Sequence, residues 1–116
     1  MIDDGAVFLI VRASVSSPVS KSAFDDWYRT NHAPLASKLL SAKRAWRFWS
    51  LTDPSIHYAV YAFADQPTLD TALESAAAER LIGEFDTQWP AGVRRTRDVV
   101  SLAETIIGVP GGPSPQ

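Results

Sequence analysis

The sequence predicts a small α+β domain of order β-α-β-β-α-β: one four-stranded antiparallel sheet with both helices on one face. Three observations predict it. Four segments have strand character, at Ala6–Ala13, Ala42–Leu51, His57–Phe63 and Val93–Ile107. The two long intervals between them, 21–40 and 65–89, place apolar residues at helical spacing. The middle two strands are joined by Thr52-Asp53-Pro54-Ser55, whose residue types favour a hairpin turn.

Each element has its own warrant. Ala6–Ala13 (AVFLIVRA) is a β-branched, nearly continuous apolar run, as expected of a central strand. Ser14–Ser20 is a polar turn containing Pro18. In Lys21–Asn31, the residues Phe24, Trp27, Tyr28 and Asn31 fall at i, i+3, i+4 and i+7 and share one helical face. Asp25, Asp26 and Arg29 fall on the solvent side, and Ser20 or Ser22 can cap the helix. Pro34 disfavours a helical Ala33, so the helix is expected to break near His32 and a short second turn to follow at Leu35–Leu40. Ala42–Leu51 alternates, with Trp46 and Phe48 on one face and Arg47 and Trp49 on the other. After His57–Phe63, Asp65-Gln66-Pro67 opens a helical region. Leu69, Ala72, Leu73 and Ala76 form one stripe, and Ala78, Ile82, Phe85 and Trp89 form another in shifted phase. Two helices with a kink near Ser75–Ala77 are expected. Pro90-Ala91-Gly92 ends them, and Val93–Ile107 closes the fold as a long strand. This is the ferredoxin-like order.

Composition limits the chemistry. The 116 residues suit one domain, expected over 1–107, followed by a Gly/Pro-rich tail at 108–116. With no cysteine, a disulfide scaffold, a thiolate nucleophile, an iron–sulfur cluster and a cysteine zinc site are excluded. His32 and His57 lack metal-ligand spacing, so no metal is expected. The net charge of −2 and the lack of an RNP-type string argue against nucleic acid. The Arg94, Arg95 and Arg97 cluster therefore reads as surface charge or dimer salt bridges, and so do Lys43, Arg44 and Arg47. No apolar run approaches the ~20 residues of a bilayer span. The opening Met1-Ile2-Asp3-Asp4 is acidic where a secretory leader is basic, so a cytoplasmic location is expected. Twelve aromatics and an uncovered sheet face point to a homodimer with sheets packed face to face.

The segment Phe24-Asp25-Asp26-Trp27-Tyr28-Arg29-Thr30-Asn31-His32-Ala33-Pro34 resembles the F-x-x-W-Y-x-x-x-H-x-P segment of EthD-like proteins, within the dimeric α+β barrel superfamily. Tyr58-Ala59-Val60-Tyr61-Ala62-Phe63 resembles that family's aromatic third strand. The resemblance implies a dimer and a small-molecule cavity in each subunit, between sheet and helices. Relatives are diverse: cofactor-independent monooxygenases, polyketide cyclases, dehydratases, isomerases, haem-binding enzymes and stress proteins. The fold does not choose among them.

His32 stands at the motif position and is the candidate general acid/base, because imidazole exchanges protons near neutral pH. A structural reading stays open, in which it closes the helix end on a carbonyl. Tyr61 is the candidate partner that orients a substrate oxygen. Trp27, Tyr28, Asn31, Trp46, Phe63, Phe85 and Trp89 are candidate pocket residues, and core or dimer contacts are the competing reading for the aromatic ones. His57, at a strand start, reads as a surface or rim residue. The expected function is binding of a small aromatic or polyketide-like molecule, with cofactor-independent turnover through His32. The alternatives are a non-catalytic dimeric stress or accessory protein and a haem-binding barrel.

Overall fold

The computed structural model describes residues 6–16 and 19–108. The expected turn at Pro18 and the tail residues 109–116 lie outside them. Strands β1 (Val7–Val15), β2 (Arg44–Trp49), β3 (Ile56–Phe63) and β4 (Val93–Ser101) form one antiparallel sheet of order β2-β3-β1-β4. Helices α1 (Lys21–Trp27), α2 (Ala33–Leu40), α3 (Gln66–Leu73) and α4 (Ala76–Gln88) complete the expected order.

Alternation divides the strands cleanly. Val7, Leu9, Ala13 and Val15 of β1, with Ala59, Tyr61 and Phe63 of β3, belong to the main core together with Phe24, Leu69, Leu81 and Phe85 of the helices. The opposite face carries Phe8, Ala62, Trp46, Val60 and Val100 as a second apolar cluster. No described helix covers that second cluster, and Phe48, on the same face by register, is 52% exposed.

Short polar side chains start the helices. Ser20, Asp65 and Ser75 each accept a backbone N–H three residues on, from Ala23, Thr68 and Ala78. Ser75 is also the break expected between the last two helices. After Gln88, Gly92 turns the chain at φ 85°, a conformation open to glycine, and its carbonyl accepts from Ser16 N–H at 2.8 Å.

Three local expectations are overturned. The chain does not break at His32; it stays helical from Lys21 to Leu40 through a π turn at Tyr28–His32. Pro34 has no N–H and its ring crowds the carbonyl four residues back, that of Thr30. The wider π turn accommodates both, and Ala33 N–H reaches back to Tyr28 O. The extra residue in that turn also shifts the helical phase. His32 takes the inward position and Asn31, expected on the apolar face, is exposed.

The last strand is shorter than expected. It ends at Ser101, which pairs with Val7 near the start of β1, and 102–108 continue without a ladder. Finally, His57 is completely buried rather than at a rim. Its strand parity is that of Ala59 and Tyr61, which face the helices, and Phe24 and Tyr28 pack on it.

Candidate functional site

A cavity of about 330 Å3 lies between the sheet and the helices. Leu9 and Val11 of β1 form its floor, and Ala36 and Leu40 of α2 with Leu81 and Ile82 of α4 form apolar walls. Polar groups enter from Tyr28 and His32 of the π turn, Tyr61 of β3, and Arg95 and Arg97 of β4. The volume falls near the lower end of the range common for small-molecule pockets, and the lining is mostly apolar with a few polar groups.

The π turn sets the two residues that the first helix contributes. Tyr28 and His32 are four apart, and the wide turn stacks them on one face. The His32 imidazole is held by rings on three sides. It stacks on Trp27 (centroids 4.8 Å apart, planes at 21°) and meets Tyr28 and Phe85 edge-on. No described contact closes the helix end through it: Nδ1 is buried without a hydrogen-bond partner in the protein. Burial lowers its pKa to about 4, and the positive charge of Arg95 adds to this while Glu84 opposes it. The imidazole is therefore neutral at pH 7.

Tyr61 Oη is likewise buried without a partner. Burial raises the pKa of Tyr61. Tyr28 is raised further, by burial first and then by Tyr61 beside it. The Tyr28 hydroxyl is near enough to act on the ionisation of Tyr61, yet no hydrogen bond of sound geometry joins them.

The other sequence candidates are dispersed. Trp27 backs His32 and borders a separate, open groove between the helices, which Asn31 also lines. Asn31 is engaged with Thr30 Oγ1. Phe85 supports His32 from behind. Trp89 packs on Phe24 and Trp27. Phe63 is core, at the end of β3 opposite Val7. Trp46 lies on the other side of the sheet, against Phe8 at 6.2 Å, because it pairs with outward-facing Val60.

Sequence reasoning missed Arg95 and Arg97 as cavity residues. Their spacing of two on a strand puts both on one face, and pairing with Ala13 and Val11 makes that face the inner one. It also missed a part-buried polar network beyond the cavity, in which His57 is fully buried. Asp25 keeps its side chain 42% exposed, in line with its solvent-side position, and accepts from Arg47 and from Trp49 Nε1, while Arg47 Nε donates to His57 Nε2. Among the described residues no three His, Asp or Glu side chains converge on a metal-sized site, and no helix is long and apolar enough to cross a membrane.

No protein-family model and no curated protein matches the chain. Solved structures match it closely in fold. SnoaB, a cofactor-independent oxygenase from Streptomyces nogalater, aligns with TM-score 0.68 and 11% identity over 88% of this chain and 97% of that one. An EthD family protein from Bacillus halodurans aligns with TM-score 0.61 and 18% identity over 80% of this chain and 96% of its own. A protein from Nitrosomonas europaea described as a “putative antibiotic biosynthesis monooxygenase” aligns with TM-score 0.60 and 18% identity, covering 89% of this chain and 95% of that one. At such identities the likeness is one of fold. The shared fold is a ferredoxin-like α+β fold with one four-stranded antiparallel sheet.

Proposed function

We propose that the protein binds a small aromatic or polyketide-like molecule in the cavity and acts on it by proton transfer, with His32 as general base. The observation that carries this reading is the pairing of two unsatisfied buried polar atoms, His32 Nδ1 and Tyr61 Oη, on residues that line one apolar cavity. A buried polar group without a partner costs about 1–3 kcal/mol, and a ligand that satisfies it recovers that cost. Neutral His32 can accept a proton from a carbon next to a carbonyl, or from a phenol. The Tyr61 hydroxyl, kept protonated by burial, then donates to the enolate or phenolate oxygen that forms. Apolar walls exclude water and strengthen that bond. The step is shared by dehydratases, cyclases, isomerases and cofactor-independent oxygenases. The last of these descriptions belongs to a protein of the same fold.

A non-catalytic binding role is the second reading. It is favoured by the ring packing around His32, which holds the imidazole as a structural core group would be held. Both readings take the molecule as a homodimer, joined through the apolar face of Phe8, Trp46, Phe48 and Val60.

The test is a 1H–15N NMR titration of the full chain with 2-naphthol, a neutral bicyclic probe. Shifts concentrated at Leu9, Tyr28, His32 and Tyr61 support the cavity as the binding site. Shifts confined to Asn31, Lys38 and Glu84 would place binding in the outer groove and reject it.

A further inference from the structure

One charged side chain at the cavity has no internal counterpart. β4 is an edge strand, and Arg95 and Arg97 project from it on the helix-facing side at the cavity's rim. Arg95 is already committed. Its guanidinium lies 4.1 Å over the Phe85 ring and it donates to Asp86 of α4 at 3.1 Å. Further along β4 the helix offers nothing equivalent. One turn before Asp86, α4 places Ile82 on the cavity, and one turn before that Ala78. Across the sheet from Arg97 stand Val11 and Ala59. No carboxylate of the described residues forms an ion pair with Arg97.

We propose that the cavity takes an aromatic carboxylate, whose anionic group is bound by Arg97 at the rim while its ring system enters toward Tyr28 and Tyr61. This deepens the reading above by naming the ligand's charge, and it rests on the cavity being the binding site.

The dimensions suit such a molecule. Tyr61 pairs with Leu9 of β1, which pairs with Val99 of β4, two residues from Arg97. Two strand spacings and two residues of rise separate the two backbones by roughly 12 Å. That leaves room for one or two fused rings between an oxygen met by a tyrosine hydroxyl and a carboxylate met by the guanidinium. The donor set selects a carboxylate over a phosphate. One guanidinium fork satisfies a carboxylate with two parallel bonds. Phosphate sites gather several donors, usually backbone N–H groups of a glycine-rich turn, and the cavity lining contains no glycine. A carboxylate at this position also supplies negative charge near Arg95, whose positive charge adds to burial, the main cause, in keeping His32 neutral.

The experiment is calorimetric titration of the full chain at pH 7 with 2-naphthoate and with its neutral isostere 2-naphthamide. The expected result is naphthoate binding at least about tenfold more tightly, as a charge-assisted bond provides. In Arg97→Ala that ratio falls to near one, and in Arg97→Lys, which keeps the charge and loses the fork, it lies between. Arg97→Gln replaces the alanine variant should circular dichroism show that variant unfolded. Equal affinity for the two probes in the wild type overturns the carboxylate assignment and leaves the cavity reading standing. A ratio unchanged by removing Arg97 overturns it too. Failure of both probes to bind, together with 2-naphthol, overturns the cavity reading and this inference with it.

Discussion

Arg47 Nε donates to the buried His57 Nε2 at 3.1 Å, at the edge of the core, while Asp25 receives the other end of the same guanidinium. The bond fixes a tautomer: Nε2 accepts, so the His57 proton sits on Nδ1, which has no partner in the protein. Strand parity explains how a charge came to be there. Arg47 and Trp49 share the inner face of β2, and Asp25 on α1 reaches both across the helix–sheet gap. Arg47→Met removes the donor and leaves Asp25 and His57 with less compensation. The variant is expected to lose about 1–3 kcal/mol in a urea unfolding curve, with an unchanged slope. Histidine NMR should show His57 protonated at Nδ1 in the wild type and a mixture of tautomers in the variant.

Both histidines should make the fold acid-sensitive. Each has its pKa lowered to about 4, chiefly by burial, against about 6.5 in the unfolded chain. Between those values the unfolded state binds more protons than the folded one. Stability therefore rises with pH from about 4 to 6.5 and is level above. The full effect is on the order of 3 kcal/mol for each histidine. Chemical denaturation at pH 7, 6, 5 and 4.5 measures it, and His57→Gln should flatten the profile in proportion.

Gly92 marks a position where the turn chemistry is unforgiving. A Cβ added there would lie 2.6 Å from Val19 Cγ2 and 3.2 Å from Ser16 O, at a φ of 85°. Gly92→Ala is expected to cost about 1–3 kcal/mol, from the positive φ and the clash with the β1–α1 turn. Thermal unfolding reads it, with Gly83→Ala as the control. Nothing lies within 4 Å of a Cβ at Gly83, so that change should hold or raise stability.

The uncovered sheet face leads to a prediction about assembly. Phe48 and Trp46 stand on it with Phe8, Val60 and Val100. Phe48→Asp places a charge on the proposed interface, and light scattering should show the molecular mass halve. A wild-type chain of monomeric mass would remove the dimer from this account.

Most of the architecture could be read from the chain because period and parity are local properties. The apolar run of β1, the alternation of β2 and the stripes at Leu69–Ala76 and Ala78–Trp89 each report on their own backbone. By the same counting, Tyr58 and Tyr61 fall on opposite faces of β3. The π turn was not legible. Its cause, Pro34 in mid-helix, reads equally well as a helix end, and only tertiary packing on both sides keeps the chain helical. That one turn moved Asn31 out and His32 in. The burial of His57 was missed for a related reason: a histidine at a strand start looks exposed until the register with Ala13 places it inside. Arg95 and Arg97 look like surface charge when grouped with Arg94; as alternate residues of a strand they share the inner face.

The central claim, that His32 moves a proton on a ligand held in the cavity, is tested most directly with 2-tetralone, a bicyclic ketone whose C1–H is acidic. Exchange of that hydrogen in buffered D2O is followed by NMR with and without protein. Acceleration over buffer of about 100-fold or more is expected, as a positioned base gives. The rate should rise through pH 4 and level above, where His32 is neutral, and the effect should be lost in His32→Gln with 2-naphthol binding retained. Exchange at the buffer rate while 2-naphthol occupies the cavity, or acceleration that survives His32→Gln, would rule out that role for His32.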